Sequence, residues 1–191
     1  MVATASRMMP LGTPMPRFRL LDSDGYIVAS EDFADADAVL VVFMCNHCPF
    51  VRHISLSLAS FAREFMPRGL AVVGINANDG ERYPDDSYQA MAGEKARVGY
   101  PFPYLHDADQ SVARAFGAAC TPDFFLFDAD GELAYRGQFD GSRPGNNVPV
   151  TGDDLREAVT AVLMGNEVDA EQVPSMGCSI KWKPGNEPEM A

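Results

Sequence analysis

Along the chain, apolar positions gather into short unbroken runs and into longer stripes of helical spacing. Val39-Leu40-Val41-Val42-Phe43-Met44 is a continuous run rich in β-branched residues. Such a run has no polar face, which is the pattern of a central strand buried on both sides. Leu70-Ala71-Val72-Val73-Gly74-Ile75 repeats it. Between the two, Val51, Ile54, Leu58, Phe61, Ala62 and Phe65 recur at three- and four-residue spacing. That stripe predicts a helix from about Pro49 to Met66, stopped by Pro67-Arg68-Gly69. Upstream, residues 16–28 read as a small hairpin turning at Asp24-Gly25, where glycine tolerates a positive φ. Downstream come a helix from Asp85 to Val98, a short strand at Tyr104-Leu105 and a short helix from Gln110 to Phe116. Phe124-Phe125-Leu126-Phe127 and Leu133-Ala134-Tyr135-Arg136 flank Asp128-Ala129-Asp130-Gly131 as a second hairpin. A last helix is expected from Asp153 to Met164, with Thr151 as its cap, Asp154 in the box position and Gly165 past its end. Alternating runs and stripes predict an α/β fold, a central mixed sheet flanked by helices. One domain is expected over residues 1–166, its core from about 14 to 166, with residues 167–191 an irregular tail packed on it.

Composition narrows the possibilities without naming a substrate. The chain has 191 residues, 47% of them hydrophobic, enough for one sizeable core. Its formal charge of −12, from 27 acidic and 15 basic residues with no basic patch, argues against nucleic acid as a partner, because such a surface repels phosphate. No apolar run approaches the roughly 20 residues that a bilayer span needs. Pro10, Gly12, Pro14 and Pro16 break up the stretch where a secretory signal would need a continuous apolar segment, so the expected location is the cytoplasm.

The candidate chemistry lies in the cysteines: Cys45, Cys48, Cys120 and Cys178. In a reducing compartment, a Cys-x-x-Cys is more often catalytic or metal-binding than structural. Cys45-Asn46-His47-Cys48 lies directly between the first buried strand and the long helix. A thiol is a nucleophile only as thiolate, and the free N–H groups and positive dipole end of a helix N-terminus favour the thiolate. Pro49 at the first helical position would put Cys48 at the N-cap, with Cys45 in the loop as disulfide partner. A helix beginning two residues earlier would instead make Cys45 the exposed nucleophile; the proline favours Cys48. His47 either adds positive charge or hydrogen-bonds the thiolate, or else is a solvent-facing loop histidine. Thr121-Pro122 precedes an apolar strand, a common setting for a cis X-Pro bond, although a trans proline at a strand start fits too.

Taken together, these residues resemble the thioredoxin superfamily. The likeness is to its peroxiredoxin-like form, the AhpC/TSA type, with an N-terminal hairpin and an inserted helix. It covers about residues 14 to 166 and rests on the order of elements, on Met44-Cys45-Asn46-His47-Cys48-Pro49-Phe50-Val51 and on Cys120-Thr121-Pro122-Asp123-Phe124. The tail sequence Gly177-Cys178-Ser179-Ile180-Lys181-Trp182-Lys183 adds to it. The resemblance implies that Pro122 is a cis-proline facing the cysteines, that Thr121 offers backbone groups to a substrate beside Pro49, and that Cys120 approaches the site. Aligned without gaps from Phe43, Cys48 takes the place of the first cysteine of a thioredoxin motif and Val51 the place of the second. The resolving thiol is then Cys45 or Cys120. Peroxiredoxins carry a hydroxyl residue three positions before the peroxidatic cysteine, whereas here Cys45 stands three before Cys48 and Val42 three before Cys45. Arg52 and Arg136 are the candidate cations for a thiolate.

Three classes of function follow. The first is a thiol–disulfide oxidoreductase acting on a protein or small-molecule disulfide or thiol, reduced by an external thiol and needing no bound cofactor; a low-activity, antioxidant thiol peroxidase is its variant. The second is a metal site drawing on Cys45, His47, Cys48, His53 and Cys120, disfavoured because no second paired cluster exists. The third is a binding module that has kept the fold without the chemistry. Cys178 and Trp182 are either a redox partner and a lid or, on the preferred reading, a small buried hydrophobe and a pin for the tail. His106 and the turn aspartates Asp22, Asp24, Asp128 and Asp130 are assigned to ordinary structure. A monomer and a homodimer are both compatible with the sequence.

Overall fold

The structure is a computed structural model that describes residues 3–188. A seven-stranded sheet runs in the order β3-β2-β6-β5-β4-β8-β9. Its strands are β2 (Arg19–Asp22), β3 (Ile27–Ala29), β4 (Ala38–Phe43), β5 (Leu70–Asn76), β6 (Tyr104–His106), β8 (Asp123–Phe127) and β9 (Leu133–Tyr135). The central β4, β5 and β6 are parallel, while β8 lies antiparallel on β4 and the β2–β3 hairpin antiparallel on β6. The two unbroken apolar runs are thus the innermost strands. Because side chains alternate across a strand, β4 feeds two cores. Leu40, Val42 and Met44 meet Ile54, Leu58, Phe61 and Phe65 of α1 (Pro49–Phe65) on one face. Val39, Val41 and Phe43 meet Phe116, Phe125 and Phe127 on the other. Met91 of α2 (Tyr88–Val98) and Leu155 and Val159 of α4 (Asp153–Leu163) join the α1 side; Val112 and Ala113 of α3 (Ser111–Ala115) lie on the opposite side. Among the described residues, no helix is long and apolar enough to cross a membrane.

Three expectations need correction. The helix expected from Asp85 begins at Tyr88, because Pro84–Asp86 is a separate 3-10 turn and Ser87 is extended at φ −62°, ψ 154°. The last helix is capped by Gly152 rather than Thr151. Gly152 has φ +72°, and an added Cβ there would come within 2.6 Å of the Phe139 ring. The carboxylate of Asp140 accepts the N–H groups of Thr151 (2.8 Å) and Gly152 (2.6 Å), while Asp154 turns to Gln138 at 2.6 Å. Finally, the tail is not wholly irregular. It carries β10 (Met176–Ser179), which lies between β1 (Ala3–Ala5) and β7 (Cys120–Thr121) in a second, three-stranded antiparallel sheet. Trp182 packs against the Phe116 core.

Candidate active site

The sulfur cluster sits where β4 hands over to α1. Pro49 occupies the first helical position, and Cys48 is the extended N-cap residue at φ −65°, ψ 123°. Cys45 and Cys48 are 1% and 0% exposed. The Thr121–Pro122 bond between β7 and β8 is cis and presents Thr121 to both cysteines. Thr121 Oγ1 is 3.4 Å from Cys45 Sγ, and Cys48 Sγ lies 3.1 Å from the Thr121 carbonyl oxygen. Cys48, Cys45 and Thr121 therefore converge, with Pro49 and Pro122 their neighbours in the chain. Cys120 does not join them in the same way. As Thr121's neighbour on β7 its side chain points to the other face, where its thiol donates to the Pro122 carbonyl at 3.5 Å and burial pushes its pKa up. The backbone edge of Thr121, expected to receive substrate, is paired with Cys178 of β10.

The thiols are electrostatically unequal. The Cys45 S–H donates to the Cys48 sulfur and holds the Cys48 pKa well below the usual thiol value, in spite of burial. The Cys178 S–H, the Thr121 hydroxyl and the Val51 N–H of the first helical turn act in the same direction. The Thr121 carbonyl favours the protonated form, but one acceptor is outweighed by four donors. The same bond raises Cys45 well above the usual value, reinforced by burial and by the charge of Asp86. Burial likewise pushes Cys178 up. The cluster thus favours a thiolate on Cys48 over one on Cys45 or Cys178.

A buried carboxylate braces the loop. Asp86 is 0% exposed. Its Oδ1 accepts the backbone N–H groups of Asn46 (2.8 Å) and His47 (3.1 Å), and its Oδ2 accepts Asn78 Nδ2 (2.7 Å) and bonds His47 Nδ1. Asn46 is itself held by Tyr104 at 2.9 Å and by the Asp85 carbonyl at 2.8 Å. His47 is not the solvent-facing loop histidine of the second reading: its ring, 19% exposed, bonds Asp86 and stacks on Tyr83 with centroids 5.7 Å apart. Ligand atoms of Cys45, His47 and Asp86 lie within 4.8 Å of one another. A metal there would draw on those three, without His53 or Cys120, and would have to break the His47–Asp86 bond. Sequence reasoning missed Asp86, Asn46, Asn78 and Tyr104. The available signal was the polar Asn76-Ala77-Asn78-Asp79 run that closes an otherwise apolar strand.

Asp123, next to Pro122, is fully buried, accepts the Ala119 N–H at 3.1 Å, and has its pKa raised to about 7 by burial. Between about pH 4, the unfolded value for aspartate, and about pH 7, the folded protein keeps a proton that the unfolded chain releases. Stability therefore falls as pH rises through that window and levels off above it. Asp123→Asn stays neutral, so its stability relative to the parent should grow from about pH 4 to about pH 7, read from urea midpoints of both proteins. A difference that is flat with pH would sink this account.

A model of the Redoxin family matches residues 10–155. Thiol:disulfide interchange protein DsbE of Escherichia coli (strain K12) is 29% identical over 129 residues, 66% of this chain and 64% of that protein. The chain thus spans less than two thirds of that relative's length. The crystal structure of a hypothetical protein from Sinorhizobium meliloti 1021 is 51% identical, with a TM-score of 0.94 over 95% of this chain and 100% of that one. A thioredoxin-family thiol:disulfide interchange protein from Chlorobium tepidum TLS shares 22% identity at a TM-score of 0.63, covering 81% of this chain and 99% of that one. The architecture is that of the thioredoxin fold, in the form the sequence resemblance implied.

Proposed function

We propose, for a chain that belongs to the Redoxin family, that it is a thiol–disulfide oxidoreductase in which Cys48 is the nucleophile and Cys45 the resolving thiol. The observation that carries this reading is the N-cap position of Cys48, beside a Cys45 side chain that lowers its pKa. The Cys48 thiolate attacks one sulfur of a substrate disulfide, forms a mixed disulfide and expels the other sulfur as a thiolate. Cys45 then loses its proton, attacks the Cys48 sulfur and releases the second substrate thiolate, leaving a Cys45–Cys48 disulfide. His47, held by Asp86 and close to Cys45, is placed to take that proton. An external thiol restores the dithiol. The substrate class is a protein or small-molecule disulfide, in keeping with the interchange protein that the chain resembles.

Peroxide reduction has less behind it. Cys45 fills the place of the orienting hydroxyl, Arg52 Nε donates to the Asn46 carbonyl at 2.9 Å, and Arg136 bonds Gln172 at 2.8 Å.

The test is alkylation of the reduced protein by iodoacetamide as a function of pH, mapped by peptide mass. Cys48 is expected to react at about pH 6 nearly as fast as at about pH 8, while the other three thiols stay inert. Four thiols that react together, with rates climbing towards ordinary cysteine values, would leave a fold kept for binding.

A further inference from the structure

Beyond the Cys45–Cys48 pair, one more sulfur enters the cluster, and the tail brings it there. β10 pairs antiparallel with β7, setting Cys178 opposite Thr121. Residues directly opposite one another in such a pair share a face, so Cys178 lies on the side of β7 where Thr121 meets Cys45 and Cys48. Its S–H bonds the Cys48 sulfur. The approach is deliberately close. At Gly177 an added Cβ would lie 2.0 Å from the Thr121 carbonyl oxygen, so the strand reaches this position only without a side chain there. β1 clamps the far edge of β10. Cys120 offers no equivalent, since its thiol is turned to the Pro122 carbonyl.

We propose that Cys178 is a third redox cysteine, which exchanges with Cys45 for the Cys48 sulfur. The inference rests on Cys48 being the nucleophile. Starting from the Cys45–Cys48 disulfide, Cys178 gives up its proton and attacks the Cys48 sulfur. The Cys45–Cys48 bond breaks as the Cys48–Cys178 bond forms, and Cys45 leaves as a thiolate that takes up the proton. No outside oxidant is consumed, because the oxidising equivalents are those already delivered by the substrate disulfide. Cys178 also resolves a mixed disulfide on Cys48 directly, displacing the substrate thiolate. Cys48 is therefore served from both sides, by the helix loop and by the tail strand.

The test uses the full chain and glutathione disulfide as probe, with disulfides mapped by mass spectrometry after acid quenching. In Cys45→Ser, which leaves the tail intact, glutathione is expected on Cys48 only transiently. A Cys48–Cys178 disulfide should replace it at a rate within about tenfold of the parent's resolution step. In the double variant Cys45→Ser/Cys178→Ser, the glutathione adduct on Cys48 should persist. If Cys45→Ser instead retains the adduct with no Cys48–Cys178 bond, while the parent forms Cys45–Cys48, the third-cysteine role is overturned and the two-cysteine reading stands. A parent whose Cys48 takes up no glutathione overturns both. Circular dichroism of each variant confirms that the comparison is made on folded protein.

Discussion

Replacing Cys48 with serine is expected to lower disulfide exchange by about four orders of magnitude or more, because it removes the one sulfur that the site keeps ionised. A serine hydroxyl in the same seat would receive the same S–H and N–H donors, yet it is far too weak an acid to become an alkoxide near neutral pH. Cys45→Ala acts at a different step. It removes the strongest influence that lowers the Cys48 pKa, so the alkylation profile of Cys48 should move to higher pH while the thiol keeps its capacity to form a mixed disulfide. The two variants therefore separate nucleophile from partner. Stopped-flow reduction of a chromogenic disulfide reads the first step, and peptide mapping of the trapped adduct reads the second. If Cys48→Ser retained exchange while Cys45→Ser abolished the first step, the roles would be reversed.

The N-cap seat of Cys48 was within reach of the sequence for a local reason. A proline directly after the second cysteine of the pair dictates where the helix starts, and the structure places that start at Pro49. The same holds for β4, β5 and α1, whose apolar periodicities are properties of contiguous residues. What was illegible is non-local. Asp86 is followed by a helical stripe, which invites reading it as a helix-start residue, yet it is folded back onto a loop residue, Asn46, that stands 40 positions earlier. Met176-Gly177-Cys178-Ser179 carries no strand propensity to speak of, and its strand exists because β1 and β7 offer it partners on both edges. Thr121 shows both sides of this. Its place before a cis proline was readable, whereas the occupation of its backbone edge by the tail was not. Gly152 belongs to the same class: Thr151 has the composition of a cap, but Asp140, from a distant turn, takes over the work.

Asp86→Ala is expected to cost about 3–5 kcal/mol of stability, a size set by the buried donors it would strand rather than by any cavity. The N–H groups of Asn46 and His47, Asn78 Nδ2 and His47 Nδ1 all direct hydrogen bonds at this one carboxylate, and alanine returns none of them. Asp86→Asn separates two of its duties. Its amide oxygen can still accept the two backbone N–H groups, but its NH2 group then faces the Asn78 donor, so part of the loss remains. The charge is gone as well. With that charge removed, Cys45 is less strongly held in its protonated form, and His47 loses the carboxylate that orients its ring. Proton transfer from Cys45 should slow, so the mixed disulfide on Cys48 should live up to about ten times longer, the ceiling that resolution through Cys178 sets. Capture of substrate by Cys48 changes little, because Asp86 does not touch that sulfur. Urea unfolding measures the first effect, and single-turnover exchange at several pH values measures the second. A variant that is destabilised but resolves its mixed disulfide at the parent rate would make Asp86 a brace for the loop and nothing more. A slowed resolution step at unchanged capture, with a pH profile displaced from the parent's, would make it the residue that times the second half of the reaction.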